Sequence, residues 1–151
     1  MGTHAVQRDA TARTVSENVK RLRSDQNLGL RALSTKLGEV GRPLTHSAVD
    51  QIEKGTRRVD VDDLMALAAA LDVSPATLLM PVGDEGQEVT VTGHSGKLTG
   101  RQVWDWITNR RPTRPEVAGA DLLVWWGRSR PSWDIKITGG AAVVRVSNGD
   151  D

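Results

Sequence analysis

The sequence contains no cysteine, no phenylalanine and no tyrosine. Without cysteine there is no disulfide framework, no thiolate nucleophile and no cysteine-ligated zinc. The histidines, His4, His46 and His94, are scattered and make a poor metal site. Net charge is also lacking: 20 Lys and Arg stand against 19 Asp and Glu, a formal +1. A polyanion partner therefore cannot be argued from bulk charge, only from where the charges lie. No apolar run approaches the length that spans a bilayer, so no membrane partner is expected. The first eight residues lack the apolar centre of a secretion signal, and Gly2 does not open a myristoylation pattern. A cytoplasmic protein is the expectation. No phosphate-binding loop, metal cluster or nucleophile–base motif stands out, so neither an enzyme nor a cofactor is expected.

What is present divides unevenly along the 151 residues. All five tryptophans, Trp104, Trp106, Trp125, Trp126 and Trp133, follow residue 100, so the two halves are built from different core material. Residues 60–80 are rich in Ala and Leu, and residues 81–87 bring proline, glycines and acids together, as linkers do. The expected division is a helical domain over residues 14–80, a linker over 81–87 and a small α+β module over 88–151.

The first half reads as five helices. Residues 16–26 carry Val15, Val19 and Leu22 at helical spacing, and a second helix ending at Gly38 carries Leu30, Leu33 and Leu37. A loop over 39–43 follows. Thr45 is a good N-cap for a third helix that runs to Lys54 and stops at Gly55, with Val49 and Ile52 inward. Asp60 caps a fourth helix with Val61, Leu64, Leu67, Ala68 and Leu71 as its stripe. Ser74 caps a short fifth, with Pro75 in its first turn and Leu78 and Leu79 apolar. Positive charge gathers on the first three helices and after the third: Arg13, Lys20, Arg21, Arg23, Arg31, Lys36, Lys54, Arg57 and Arg58. Asp60, Asp62 and Asp63 sit instead at the start of the fourth, where they suit the helix dipole.

Three stretches in combination are distinctive: LRALSTKLG from Leu30, LTHSAVDQIEKG from Leu44 and VDDLMALAAALDVSPATLL from Val61. Over roughly residues 15–80 the chain resembles the Cro/C1-type helix-turn-helix family, also called the Xre family. The resemblance implies a mainly α, five-helix lambda-repressor-like domain whose third helix, 45–54, enters the major groove of double-stranded DNA. By position, His46, Ser47 and Gln51 would touch base edges, and Gln51 has the two-pronged geometry that suits adenine. Thr45 would reach a phosphate or cap the helix. Lys54, Thr56, Arg57 and Arg58 fall where the family grips the backbone, contacts that position without reading sequence. Arg23 and Glu53 match a structural ion pair between the first and third helices.

The chain departs from the family pattern twice. Leu30 replaces the usual glutamine at the start of the second helix, and Arg31 is the substitute phosphate contact. The loop before the third helix is about five residues longer than the usual tight turn, and Arg42 within it is expected along the DNA backbone. The implied function is a nucleoid-associated, sequence-specific transcription regulator, a repressor acting by operator occupancy and binding as a homodimer. The alternative is an antitoxin-type regulator whose C-terminal module binds a partner protein.

The second half is less legible. A strand at 89–92, a helix from Thr99 to residue 109 burying Val103, Trp104 and Ile107, and a buried strand at 121–126 are expected. A hairpin of 134–138 and 141–146 should turn at Gly139 and Gly140, with a frayed tail beyond. The tryptophans are read as core. Three roles stay open: dimerisation or effector sensing; extra DNA contact through Lys97, Arg101, Arg110, Arg111 and Arg114; and self-cleavage at Ala118-Gly119 with Ser129, Ser132, Lys97 and Lys136. The third is disfavoured, because such a peptidase needs about a hundred residues of β structure.

Overall fold

The computed structural model describes residues 9–138 and 141–144, with side-chain burial described for 9–135. Helix α1 spans Ala10–Asp25, α2 Leu30–Glu39, α3 His46–Lys54, α4 Val61–Ala70 and α5 Pro75–Leu79. A two-residue pairing of β1, Glu88–Val89, with β2, Leu98–Thr99, precedes α6, Gly100–Ile107. Then follow α7, Gly119–Ser129, one 3-10 turn over Ser132–Asp134, and an antiparallel hairpin of β3, Ile135–Thr138, and β4, Ala141–Val144. The chain forms two compact units that divide between Arg101 and Gln102.

In the first unit the predicted apolar stripes meet. Val15, Val19, Leu33, Leu37, Val49, Ile52, Leu67, Leu71 and Leu78 are buried together. Thr45, Asp60 and Ser74 each cap the helix that follows by accepting from a backbone N–H. Helix α1 begins six residues before the start expected at residue 16. Ser16 lies mid-helix, where its hydroxyl donates to the Ala12 carbonyl at 3.1 Å, a back-bond.

A polar residue inside this core had drawn no attention in the sequence. Asn18 is fully buried, and its amide lies 2.8–3.2 Å from the carbonyls of Thr77, Leu78 and Met80. Its own oxygen accepts from Arg21. The side chain thus serves the orphan carbonyls at the end of α5, which has no room to satisfy them itself. It fastens α1 to α5.

Residues 81–87, read as a linker, lie inside the first unit. Gly100 N–H donates to the Gln87 carbonyl at 3.0 Å and Arg101 N–H to the Glu85 carbonyl at 2.8 Å. The segment thus serves the first two N–H groups of α6, and Thr99 pairs as a strand residue. A Cβ at Gly100 would fall 2.7 Å from the Asp84 carbonyl oxygen, so only glycine fits. Further along, Thr11 and Thr92 exchange hydrogen bonds, each hydroxyl accepting from the other's N–H at 3.0–3.2 Å.

The chain after residue 87 departs from several expectations. Residues 121–126 form no strand; they lie within α7. A short apolar run is ambiguous between strand and helix, and the acid Asp121 in the first turn favours the helix. The expected strand at 89–92 contributes only Val89 to β1. Val103 is buried as expected, but Trp104 and Ile107 are half-buried. None of the tryptophans is buried, and Trp133 is 79% exposed. Fifty residues enclose too little volume to cover such large side chains. Strands β3 and β4 match the expected hairpin; its Gly139-Gly140 turn, its last residues and the tail lie outside the described residues.

Replacing Asn18 with Ala should leave buried carbonyls unserved and cost about 1–3 kcal/mol. Urea unfolding followed by far-UV circular dichroism measures this, and an unmoved midpoint would show that the α1–α5 tie carries no weight.

Candidate nucleic-acid interface

Helix α3 is short, and its ends are fixed by the sequence. Thr45 adopts extended geometry and its hydroxyl accepts from the Ala48 N–H at 3.1 Å. At the other end Gly55 takes φ 69°, a left-handed conformation that favours glycine. This turns the chain so that Gly55 and Thr56 N–H groups reach the carbonyls of Ile52 and Gln51, both at 2.9 Å. Val49 and Ile52 are fully buried. The helical period then sends His46, Ser47, Gln51 and Lys54 to the opposite side, and all four are exposed.

Side-chain bonds hold α3 in place along its length. Glu53, only 6% exposed, accepts from Arg23 Nε at 2.6 Å and Arg23 Nη2 at 2.9 Å, a two-pronged pair. Arg23 Nη1 donates to the Leu28 carbonyl at 2.6 Å, so the same guanidinium ties α1, the α1–α2 turn and α3. The hydrogen bond with Glu53 prevails over burial and raises the Arg23 pKa further. Ahead of α3, the Ser34 hydroxyl donates to the Leu44 carbonyl at 2.6 Å, fastening the long loop to α2.

Behind α3 a second acid organises the turn. Asp63, 1% exposed, accepts from Arg42 Nε at 2.9 Å and Arg57 Nη2 at 3.0 Å. Arg42 Nη2 also donates to Asp60 at 2.9 Å, while Asp60 caps the Asp63 N–H at 2.7 Å. Burial alone would push the Asp63 carboxyl up. The hydrogen bonds and charges of Arg57 and Arg42 outweigh it and hold the group below the ordinary carboxylate value. In the sequence Asp63 shows only as an acid suited to the helix dipole; the Asp60-x-x-Asp63 spacing of a helix start is the available signal.

The arrangement sorts the predicted site residues. Thr45, His46, Ser47, Gln51 and Lys54 come together on the outer side of α3, and Thr56 and Arg58 are exposed in the turn that follows. Arg31 is exposed near the start of α2. Arg42 and Arg57, partly exposed, both turn toward Asp63, and a buried carboxylate has to be paired. Lys54 pairs with Asp50 at 2.6 Å, but both are on the surface, where such a pair contributes little and exchanges readily for another anion. Among the described residues, no cluster of His, Asp and Glu could hold a metal ion, and no helix is long and apolar enough to cross a membrane.

The chain was compared with known families and proteins. The family described as helix-turn-helix matches residues 19–78, which contain the C-terminal part of α1, all of α2 through α4 and nearly all of α5. No curated protein and no solved structure matches the chain.

The depressed pKa of Asp63 fixes a pH dependence. Its ionised form stabilises the fold fully above the unfolded carboxylate value near ~4, and that stability is lost as pH falls through the lower folded value. Asp63→Asn should therefore lower stability at neutral pH and flatten the acid limb, the two proteins converging in acid. Parallel urea titrations at neutral and acid pH check this; equal losses at both would mean the charge of Asp63 is irrelevant.

Proposed function

On the premise that residues 19–78 are a Cro/C1-type helix-turn-helix domain of a DNA-binding regulator, we propose that this protein is a repressor that acts by occupying an operator. The observation that carries the reading is the outer side of α3, where capped, rigid backbone presents His46, Ser47 and Gln51 to solvent. A helix so presented fits the major groove, where polar side chains near its start meet base edges. Gln51 reads a base, with His46 and Ser47 beside it. Thr45, Lys54, Thr56 and Arg58 hold phosphates around the groove, and Arg31 does so from α2. Arg42 and Arg57 act one step back, setting the turns that flank α3. The protein binds as a homodimer to two half-sites about one helical turn apart.

A second reading, an antitoxin-type regulator that holds a partner protein through its second unit, is favoured by Val124 and Trp133, large apolar side chains that stand exposed there. Selection of bound sites from random duplexes separates the main reading from a generic affinity for DNA. A palindromic motif supports operator recognition by a dimer, and recovery of unrelated sequences contradicts it.

Two substitutions test the roles individually. Gln51→Ala should cost about 1–3 kcal/mol on the selected site and relax preference at one base pair; an equal loss on every sequence removes Gln51 from base reading. Arg58→Ala should weaken all duplexes alike and reduce the salt slope of binding by about 1, as loss of one phosphate contact does. An unaltered slope excludes that contact.

A further inference from the structure

The loop between α6 and α7 carries Arg110, Arg111 and Arg114 together with Pro112 and Pro115. Its backbone is fastened from several directions. Two residues past the end of α6, Asn109 takes a φ of 59°, in the left-handed region. There the Arg110 N–H reaches back to the Asp105 carbonyl at 2.7 Å and the Asn109 N–H to the Trp106 carbonyl at 3.2 Å, the Schellman arrangement. From α7, Trp126 Nε1 donates to the Arg110 carbonyl and Arg130 Nε to the Asn109 carbonyl, both at 3.0 Å. Arg130 is itself held by Asp134 at 2.8 Å and stands 5.6 Å from the centre of the Trp126 ring. At the far end the Val117 N–H donates to the Arg114 carbonyl at 3.3 Å, and Val117 is buried. The two prolines restrict the remaining torsions.

The side chains of the three arginines are treated differently from the backbone. All three are exposed, and none has an ion pair or side-chain hydrogen bond among the described residues. Other cations nearby in sequence do have acids: Lys97 pairs with Glu88 at 2.9 Å and Arg101 with Glu85 at 3.8 Å. Three guanidiniums on one short, stiff loop repel one another, and none of them is held in an ion pair with a carboxylate of the described residues. A row of phosphates would offset it. Arginine binds phosphate oxygens in a fork, and a loop already fixed loses little freedom on binding. We propose that residues 110–114 are a second contact to the phosphate backbone of duplex DNA, separate from the contact made by α3. The proposal rests on the reading of this protein as a DNA-binding regulator. The loop adds affinity on every sequence and leaves base preference to α3.

The test uses the full chain, a selected operator duplex and a scrambled duplex, with fluorescence anisotropy across a salt series. The variant R110A/R111A/R114A should lose about 2–3 from the slope of log affinity against log salt on both duplexes, at roughly 0.9 per phosphate. Its preference for operator over scrambled duplex should match the wild type. The variant R110K/R111K/R114K, which keeps the charge, should keep most of the slope. An unchanged slope in the alanine variant overturns the proposal. So does a loss shared by the alanine and lysine variants together with a lowered melting temperature, which would make the loop structural. A loss seen only with single-stranded RNA of equal length also overturns it and assigns the loop to another nucleic acid. Gln51→Ala run alongside separates the two readings. If operator preference depends on Gln51 while the arginine variant is silent, only the loop proposal fails. If the arginine variant flattens the slope while Gln51→Ala changes no preference, the base-reading role of α3 fails and the loop contact stands.

Discussion

A carboxylate that is nearly buried on a helix has to be paired, or the helix does not sit still. Glu53 meets that requirement through Arg23, with bonds of 2.6 and 2.9 Å. The pair is directional as well as attractive. A fork between guanidinium and carboxylate fixes rotation about the helix axis, which a purely apolar contact through Val49 and Ile52 would leave looser. Rotation is what decides whether Gln51 points to solvent. A buried pair of this sort adds little net stability, but removing either partner leaves an uncompensated charge inside. Its contribution here is therefore orientation more than strength.

Asp63 repeats the same logic on the other flank. It sits at the start of α4, yet its partners come from the loop before α3 and the turn after it. The unusually long α2–α3 loop is thereby tied to the protein core by Arg42 rather than left to swing. Arg42 and Arg57 thus brace the two turns that flank α3. Lys54, Arg58 and Arg31 stay exposed on this half of the chain.

Legibility in the sequence followed how local each cause was. Helices α2 to α5 and their caps were readable because a cap and a period are properties of neighbouring residues: Thr45 with Ala48, Asp60 with Asp63, Gly55 after Lys54. The Arg23–Glu53 pair was visible only through the family resemblance, since thirty positions separate its members. Asn18 and Asp63 were missed for the opposite reason. A polar residue earns burial through partners brought by the fold, and nothing near Asn18 in sequence hints at the carbonyls of α5. In the second unit, α7 was mistaken for a strand because its apolar run, from Leu122 to Trp126, carries no period that separates the two forms. The tryptophans were assigned to a core that fifty residues are too few to build.

The most direct test of the account is amide chemical-shift perturbation of the isotopically labelled full chain on titration with its selected duplex. The account predicts saturable shifts concentrated at Thr45 to Gln51 and at the turn holding Thr56 and Arg58, with the buried pair at Arg23 and Glu53 intact. Shifts that bypass α3, or that fail to saturate on the selected duplex, would contradict it.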